Sequence, residues 1–305
     1  MARYIVSRVG QMVITMFIVS LLVFFMIRLK GDPITIMAPP HFNAEQVEAL
    51  RHAWGFDKPL PEQYWVFITK AVTGDFGKSM SHSQPAMDLV ISRMKLTYLL
   101  AGVSAVIGIL IAIPLGVLSA LYRNSLLDVS VSALASLGTA MPNFWLGLML
   151  IIVFSVQLRW FPVFGAESIR SIVLPATCLG TGMAARLSRL TRSAMLDALR
   201  QDYMRTARSK GLNPTRVNVV HALRNALIPV ITALGLQLGW LLGGSVIVES
   251  VFAWPGLGRL VVEAIHVRDI TVVQAAVFWF SLTFIMINLL VDILYSVVDP
   301  RVKFE

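Results

Sequence analysis

The sequence predicts an all-α integral membrane protein of six transmembrane helices, with an external insertion after the first and a basic helical segment before the fifth. Three observations carry this. Of 305 residues, 56% are hydrophobic and 14% charged, and the mean hydropathy is +0.73. A soluble domain carries about 25% charged residues, so too little polar surface remains here to cover a water-soluble globule. Apolar runs of about 20 residues, the length that crosses a bilayer, recur along the chain. Finally, basic residues collect in alternate loops, the asymmetry that orients membrane proteins.

The first span, 9–29, follows Arg3 and Arg8 and ends at "MIRLKGDP". It is longer than the core of a secretory signal and lacks a small-residue cleavage site, so it is expected to remain attached. The region 30–95 balances seven basic residues with seven acidic ones. Within it "FNAEQVEALRHAWG" predicts an amphipathic helix with Val47, Leu50 and Trp54 on one stripe, and "KPLPEQYWVFITKAV" a second, started by Pro61 and facing inward through Tyr64, Phe67 and Ile68. The further spans are 97–121, 129–156, 172–190, 226–249 and 272–298. Met141-Pro142-Asn143 interrupts the third, where proline removes a backbone donor and kinks a helix; such breaks suit a pathway or gate as well as a packing kink. The fourth is broken by Pro175, Gly180 and Gly182, and Arg186 and Arg189 crowd its end. The organisation is therefore 1–29, a tail and first span; 30–95, an external region; and 96–305, a core with the basic loop 186–224.

That loop holds nine arginines and lysines against Asp197 and Asp202, a surplus of seven in a net charge of +9. With six spans the N-terminus, Arg123, the loop and the C-terminal Arg301 and Lys303 fall on the cytoplasmic side. Region 30–95 then lies outside. Cys178 is the only cysteine and the five histidines show no close pair at metal-ligand spacing, which excludes an intrachain disulfide and leaves no metal site visible.

The basic loop is patterned as well as charged. Leu196, Leu199, Tyr203 and Ala207 recur at helical spacing, Gly211 supplies a helix stop, and Asn213-Pro214 a cap and first turn. The pattern specifies helix, sharp turn, helix, then entry into the fifth span. No nucleic-acid recognition fold accompanies the charge, and lipid attraction alone needs no turn, so docking of a soluble partner fits best.

The segment "DYMRTARSKGLNPTRVNVVHALRNALIPV" resembles the cytoplasmic coupling loop of permease subunits of bacterial ATP-binding cassette (ABC) importers. Their general motif is Glu-Ala-Ala, three residues, Gly, nine residues, then Ile, any residue, Leu-Pro. With Gly211 on the glycine, Arg205 and Thr206 replace its first two residues, Ala207 and Leu223 match, and His221 and Arg224 replace isoleucine and proline. "RTARSKG" and "HALRNALIP" are similar to the variant of the dipeptide/oligopeptide/nickel branch. "GDP" at 31–33, "LPEQY" at 60–64, "GDFGKS" at 74–79, "MPNFWLG" at 141–147, "FAWPGLGRL" at 252–260 and "NLLVDILYSVVDPR" at 288–301 extend the resemblance over nearly the whole chain.

The resemblance implies a type I importer permease, the first of two, in the inner membrane with both termini cytoplasmic. Expected partners are a homologous second permease, two cytoplasmic ATP-binding subunits holding ATP and Mg, a periplasmic or lipid-anchored substrate-binding protein, and membrane lipid, without nucleic acid. The chain itself would hold no cofactor and catalyse nothing. A peptide-class cargo is expected, with glutathione next and a nickel chelate as the alternative. Coupling is expected at Tyr203, Arg205, Thr206, Ala207, Arg208, Lys210, Gly211 and Leu212. The pathway or gate is expected at Met141, Pro142, Asn143, Phe144, Gly239 and Gly243.

Other features point away from chemistry in the chain itself. Gly77-Lys78-Ser79 ends like a phosphate-binding loop, but Val72 stands where that motif needs its first glycine. Asp292 in the sixth span suggests an ion site by default, against pairing with a loop arginine or backbone. Glu249 and Glu263 read as rim residues, and Pro255-Gly256 starts a re-entrant or surface helix. Gly235, Gly239, Gly243 and Gly244 read as close helix packing. An ion-coupled secondary transporter should show several embedded charges and an internal repeat; an intramembrane enzyme should show a nucleophile–base pair. Neither pattern stands out.

Overall fold

A computed structural model describes residues 2–28, 34 and 42–298 of the chain. They fall into two compact units, Met1–Leu96 with Gly256–Leu289, and Thr97–Pro255 with Leu290–Glu305.

In the first unit, helix α1 (Ala2–Arg28) is apolar almost all round. Val13, Ile14, Phe17 and Leu22 are exposed, as on a lipid-facing helix, and Ser20, Val23 and Phe24 form its buried stripe. Helix α2 (Ala44–Trp54) opens on a capping box between Asn43 and Gln46. The side chains of Leu50 and Trp54 lie outside the described residues. Helix α3 (Leu60–Thr73) carries proline in its first turn. Its Tyr64 and Phe67 face inward as expected, with ring centroids 5.3 and 5.8 Å from Phe24.

Helix α4 (Ala86–Leu121) starts at Ala86 and not at residue 97. Ala86, Leu89 and Val90 continue its buried stripe, while Asp88 and Lys95, counted with the charge-balanced region 30–95, are not buried. Helix α5 (Leu126–Ala140) leads to α6 (Asn143–Leu150), which a π-helical stretch prolongs through Ile151–Gln157. The expected third span is therefore not one kinked helix. Its two halves bend by 107°. Met141, pressed by the ring of Pro142, leaves the helical region at φ −73° and ψ 127°, which turns the chain.

Helix α7 (Val173–Leu199) is the hub of the second unit, burying Leu174, Cys178, Met183, Leu187 and Met195. The arginines at 186, 189 and 192, read as loop, belong to this helix. It meets α4 backbone to backbone: a Cβ on Gly180 would stand 2.8 Å from the Ser104 carbonyl oxygen. Helix α8 (Asp202–Ser209) and helix α9 (Pro214–Val251) follow; α9 passes through a π-helical stretch at Val217–Leu223. Gly235 lies where a Cβ would be 2.2 Å from Val291, so that glycine does serve close packing.

Returning to the first unit, α10 (Leu257–His266) and α11 (Ile270–Val298) complete the chain's helices among the described residues. Leu257, Leu260 and Ala264 pack with Val90, Val272 and Ala276 in one apolar cluster. The side chains of Arg3 and Asp292, together with Arg301, Lys303 and the segment 31–33, lie outside the described residues.

Among the described residues four helices are long and apolar enough to cross a membrane, five if the bent pair is one span. Helix α7, expected as a span, is not among them although its 27 residues suffice in length. Thr177, Thr181, Arg186, Ser188 and Arg189 dilute its apolarity, and α5, α6 and α9 pack against it.

Candidate functional site

The coupling segment forms the predicted helix–turn–helix. Helix α8 ends at Ser209, Gly211 adopts φ 72°, and the Asn213 side chain accepts a 2.9 Å hydrogen bond from the Thr215 N–H, with Pro214 opening the next helix. A left-handed backbone at Gly211 costs a β-carbon residue about 1–2 kcal/mol, which explains the glycine.

The face of α8 that packs differs from the expected one. Met204 and Ala207 are buried and Tyr203 is 39% exposed. Met204 and Ala207 join Ala120, Met195, Ala198, Val217, Ala222 and Ala226 in a small apolar cluster, with Leu212 packed at its side. Ala207 therefore belongs to the chain's own core. Arg205, Thr206, Arg208, Lys210 and Gly211 are exposed and leave a basic surface with a tight turn at its end.

Beside this cluster stands a lock that the sequence did not reveal. Asp128, at the start of α5, accepts hydrogen bonds from Arg192 Nε at 2.6 Å and Arg192 NH2 at 2.7 Å. It also takes the Ser119 hydroxyl and the Asn124 N–H. A bidentate arginine thus joins α7 to the α4–α5 turn. From the sequence alone Arg192 counts only as a topology charge.

At the bend between α5 and α6, Met141 and Asn143 are half-buried and Pro142 and Phe144 exposed. Gly239 is buried, and Gly243 is open, with nothing within 4 Å of where a Cβ would lie. The residues that meet Asn143 are others. Its side chain lies 3.6 Å from the Cβ position of Gly182 and 3.7 Å from that of Gly244. Arg186, one turn from Gly182, stacks its guanidinium 3.6 Å from the Trp240 ring centroid. Arginine inside an apolar stretch was the signal that would have found this group.

Glu249, expected at a rim, is fully buried, because α9 continues to Val251 and aims the carboxylate at Thr97, whose hydroxyl donates at 2.7 Å. Glu263 lies at the surface, paired with Arg259. The phosphate-loop look-alike is consumed in a second lock. Buried Asp269 accepts the Ser79 hydroxyl at 2.6 Å, the Ser81 hydroxyl at 2.8 Å and the Ser81 N–H at 3.1 Å. Burial pushes the Asp269 carboxyl up, but these donors and the Val272 N–H outweigh it and hold it below its ordinary value. No helix follows Ser79 until Ala86, so a phosphate would find no helix N-terminus there.

Helices suited to lipid, a hub helix carrying arginines, and an exposed basic turn buttressed from inside define a membrane transport subunit. The chain belongs to the family of binding-protein-dependent transport system inner membrane components, whose model matches residues 112–304, with the companion N-terminal model over 1–101. It is 44% identical over 306 residues, covering 100% of both chains, to the glutathione transport system permease protein GsiC of Escherichia coli (strain K12) and to that of Shigella dysenteriae. The fold matches the MetNI methionine ABC transporter with TM-score 0.61 at 22% identity, covering 70% of this chain and 97% of that one. An amino acid ABC transporter with histidines gives TM-score 0.50 at 21% identity, over 70% of this chain and 94% of that one. The protein is a multi-pass inner-membrane permease subunit of an ABC importer, a transport component rather than an enzyme, and works with ATPase and substrate-binding components.

Proposed function

We propose that this subunit forms half of the translocation pathway for a peptide cargo of the glutathione class. The observation that carries the reading is the end-to-end 44% identity to a glutathione permease, with 100% of each chain covered. The other half is a homologous second permease; two ATP-binding subunits hold ATP and Mg, and a periplasmic or lipid-anchored protein delivers the cargo. Both termini are cytoplasmic and region 30–95 is periplasmic, a reading supported by the balanced charge of that region and the basic residues that follow α7 between Arg200 and Arg224.

Closure of the ATPase dimer pushes on the exposed surface of Arg205, Thr206, Arg208, Lys210 and Gly211, with Tyr203 and Leu212 at its margins. The apolar cluster under Ala207 and the Asp128–Arg192 lock pass the motion to α4, α5, α7 and α9. Met141, Pro142, Asn143 and Phe144, at the 107° bend, and Gly239 and Gly243 form the pathway or its gate. The test is uptake of labelled glutathione by proteoliposomes holding the assembled importer, ATP and the cognate binding protein. Transport that glutathione and dipeptides neither drive nor compete for overturns the cargo reading.

A further inference from the structure

We propose that Arg186, Trp240 and Asn143 form an anion-selective subsite in the pathway, which takes a carboxylate of the cargo. The inference deepens the pathway reading above and rests on it.

A cation carried in an apolar part of a membrane protein is costly unless it faces a partner or a water-filled path. Arg186 is half-buried on α7, and its one described hydrogen bond runs from Nε to the Gly182 carbonyl at 3.3 Å. Among the described residues no carboxylate pairs with it. The buried carboxylates of the same unit are engaged elsewhere, Asp128 by Arg192 and Glu249 by Thr97. Among the described residues, then, its two terminal amino groups meet no acceptor, and we assign them to the cargo.

Three features make this a built site and not a stray charge. The indole of Trp240 lies 3.6 Å under the guanidinium and fixes its plane, which favours bidentate recognition of a planar carboxylate. Trp240 is 45% exposed, so the stack can be reached. Asn143 and Arg186 meet at one place, the Asn143 Oδ1 and an Arg186 amino group standing 3.6 and 4.0 Å from the Cβ position of Gly182. Arg186 and Asn143 together offer several donors to an anion and one acceptor to a neighbouring N–H, the pattern at the end of a peptide.

The test uses Asn143→Cys in the assembled importer in nanodiscs, in a Cys178→Ser background. Reaction of the introduced thiol is compared for an anionic sulfonate and a cationic trimethylammonium methanethiosulfonate, each normalised to a free thiol. Charged clefts concentrate counter-ions by about 10-fold or more, so the anion should react about tenfold faster. Arg186→Gln should abolish the preference and Arg186→Lys should retain part of it. Peptide with a free C-terminal carboxylate, delivered by its binding protein with ATP, should slow the labelling, and the C-terminal amide should not.

A ratio near one, a preference that survives Arg186→Gln, or equal protection by acid and amide each overturns the subsite. An anion preference that appears only when the second permease is omitted assigns Arg186 to a carboxylate at a subunit contact and overturns it as well. Anion preference and acid-selective protection without net peptide uptake would sustain the subsite and reject the cargo reading instead.

Discussion

Among the described residues two aspartates are buried, and they are satisfied by opposite means. Asp128 meets a full counter-charge, with Arg192 gripping both oxygens. Asp269 meets only neutral donors, two serine hydroxyls and two backbone N–H groups. The first neutralises a buried charge where α4, α5 and α7 meet. The second keeps its negative charge at a helix start, where the dipole of α11 favours it. A salt bridge joins two helices, and a hydroxyl knot closes a loop.

The comparison breaks first at the salt bridge, where the largest effect is expected. Removing one partner of a buried pair costs about 3–5 kcal/mol. Arg192 keeps 29% of its side chain in solvent, which places Asp128→Ala toward the lower end. Thermal unfolding of the purified complex should show Asp128→Ala and Arg192→Ala each strongly destabilised, and the double variant little worse than either. Additive losses would mean that the pair is not coupled.

A smaller effect on stability is expected at the Gly211 turn. Gly211 is exposed, with nothing within 4 Å of a Cβ, so a substitution meets no neighbour in this chain and acts through its φ of 72° and through the partner surface. Gly211→Val should lose uptake and leave the ATPase insensitive to loaded binding protein. Gly211→Asn, which tolerates the left-handed region, should be milder. Ala207→Asp is the poorer probe, since its carboxylate would enter the chain's own cluster. Normal coupling in Gly211→Val would reduce the basic segment to a topology signal.

What the sequence disclosed follows the same physics. Helix α1 was legible because lipid covers it and its exposed residues must be apolar. Helix α7 was harder to read, because protein covers it: small and polar residues are tolerated there, and 15 of its 27 residues are buried. The turn at Gly211 and Asn213 was readable, since φ and capping are local properties. Which side of α8 packs was not, because the choice of Met204 over Tyr203 is decided by how α4, α7 and α9 fold around it. Arg192 and Arg186 read as topology charges for the same reason. Their partners, Asp128 and Trp240, lie more than fifty positions away.

The smallest effect separates the hydroxyl knot from nucleotide chemistry. The folded Asp269 carboxyl is held below its ordinary value, so its contribution is complete above the unfolded pKa of about 3.9 and lost as pH falls through the lower folded value. Stability of the complex should therefore be flat in this respect from pH 5 to 8 and decline only below about pH 4. Asp269→Asn would set an amide against donors already committed, with a cost on the order of 1–3 kcal/mol at every pH, and would remove that part of the acid decline. Ser79→Ala should cost less, because Ser81 continues to donate twice. Lys78→Ala is the control: its side chain is exposed and takes no part in the knot, so neither stability nor ATP affinity of the assembled importer should move. Acid unfolding monitored for the three variants decides the matter. If Lys78→Ala weakens nucleotide binding, or if Asp269→Asn leaves the acid limb unchanged, the knot is not the reason this segment carries Gly77-Lys78-Ser79.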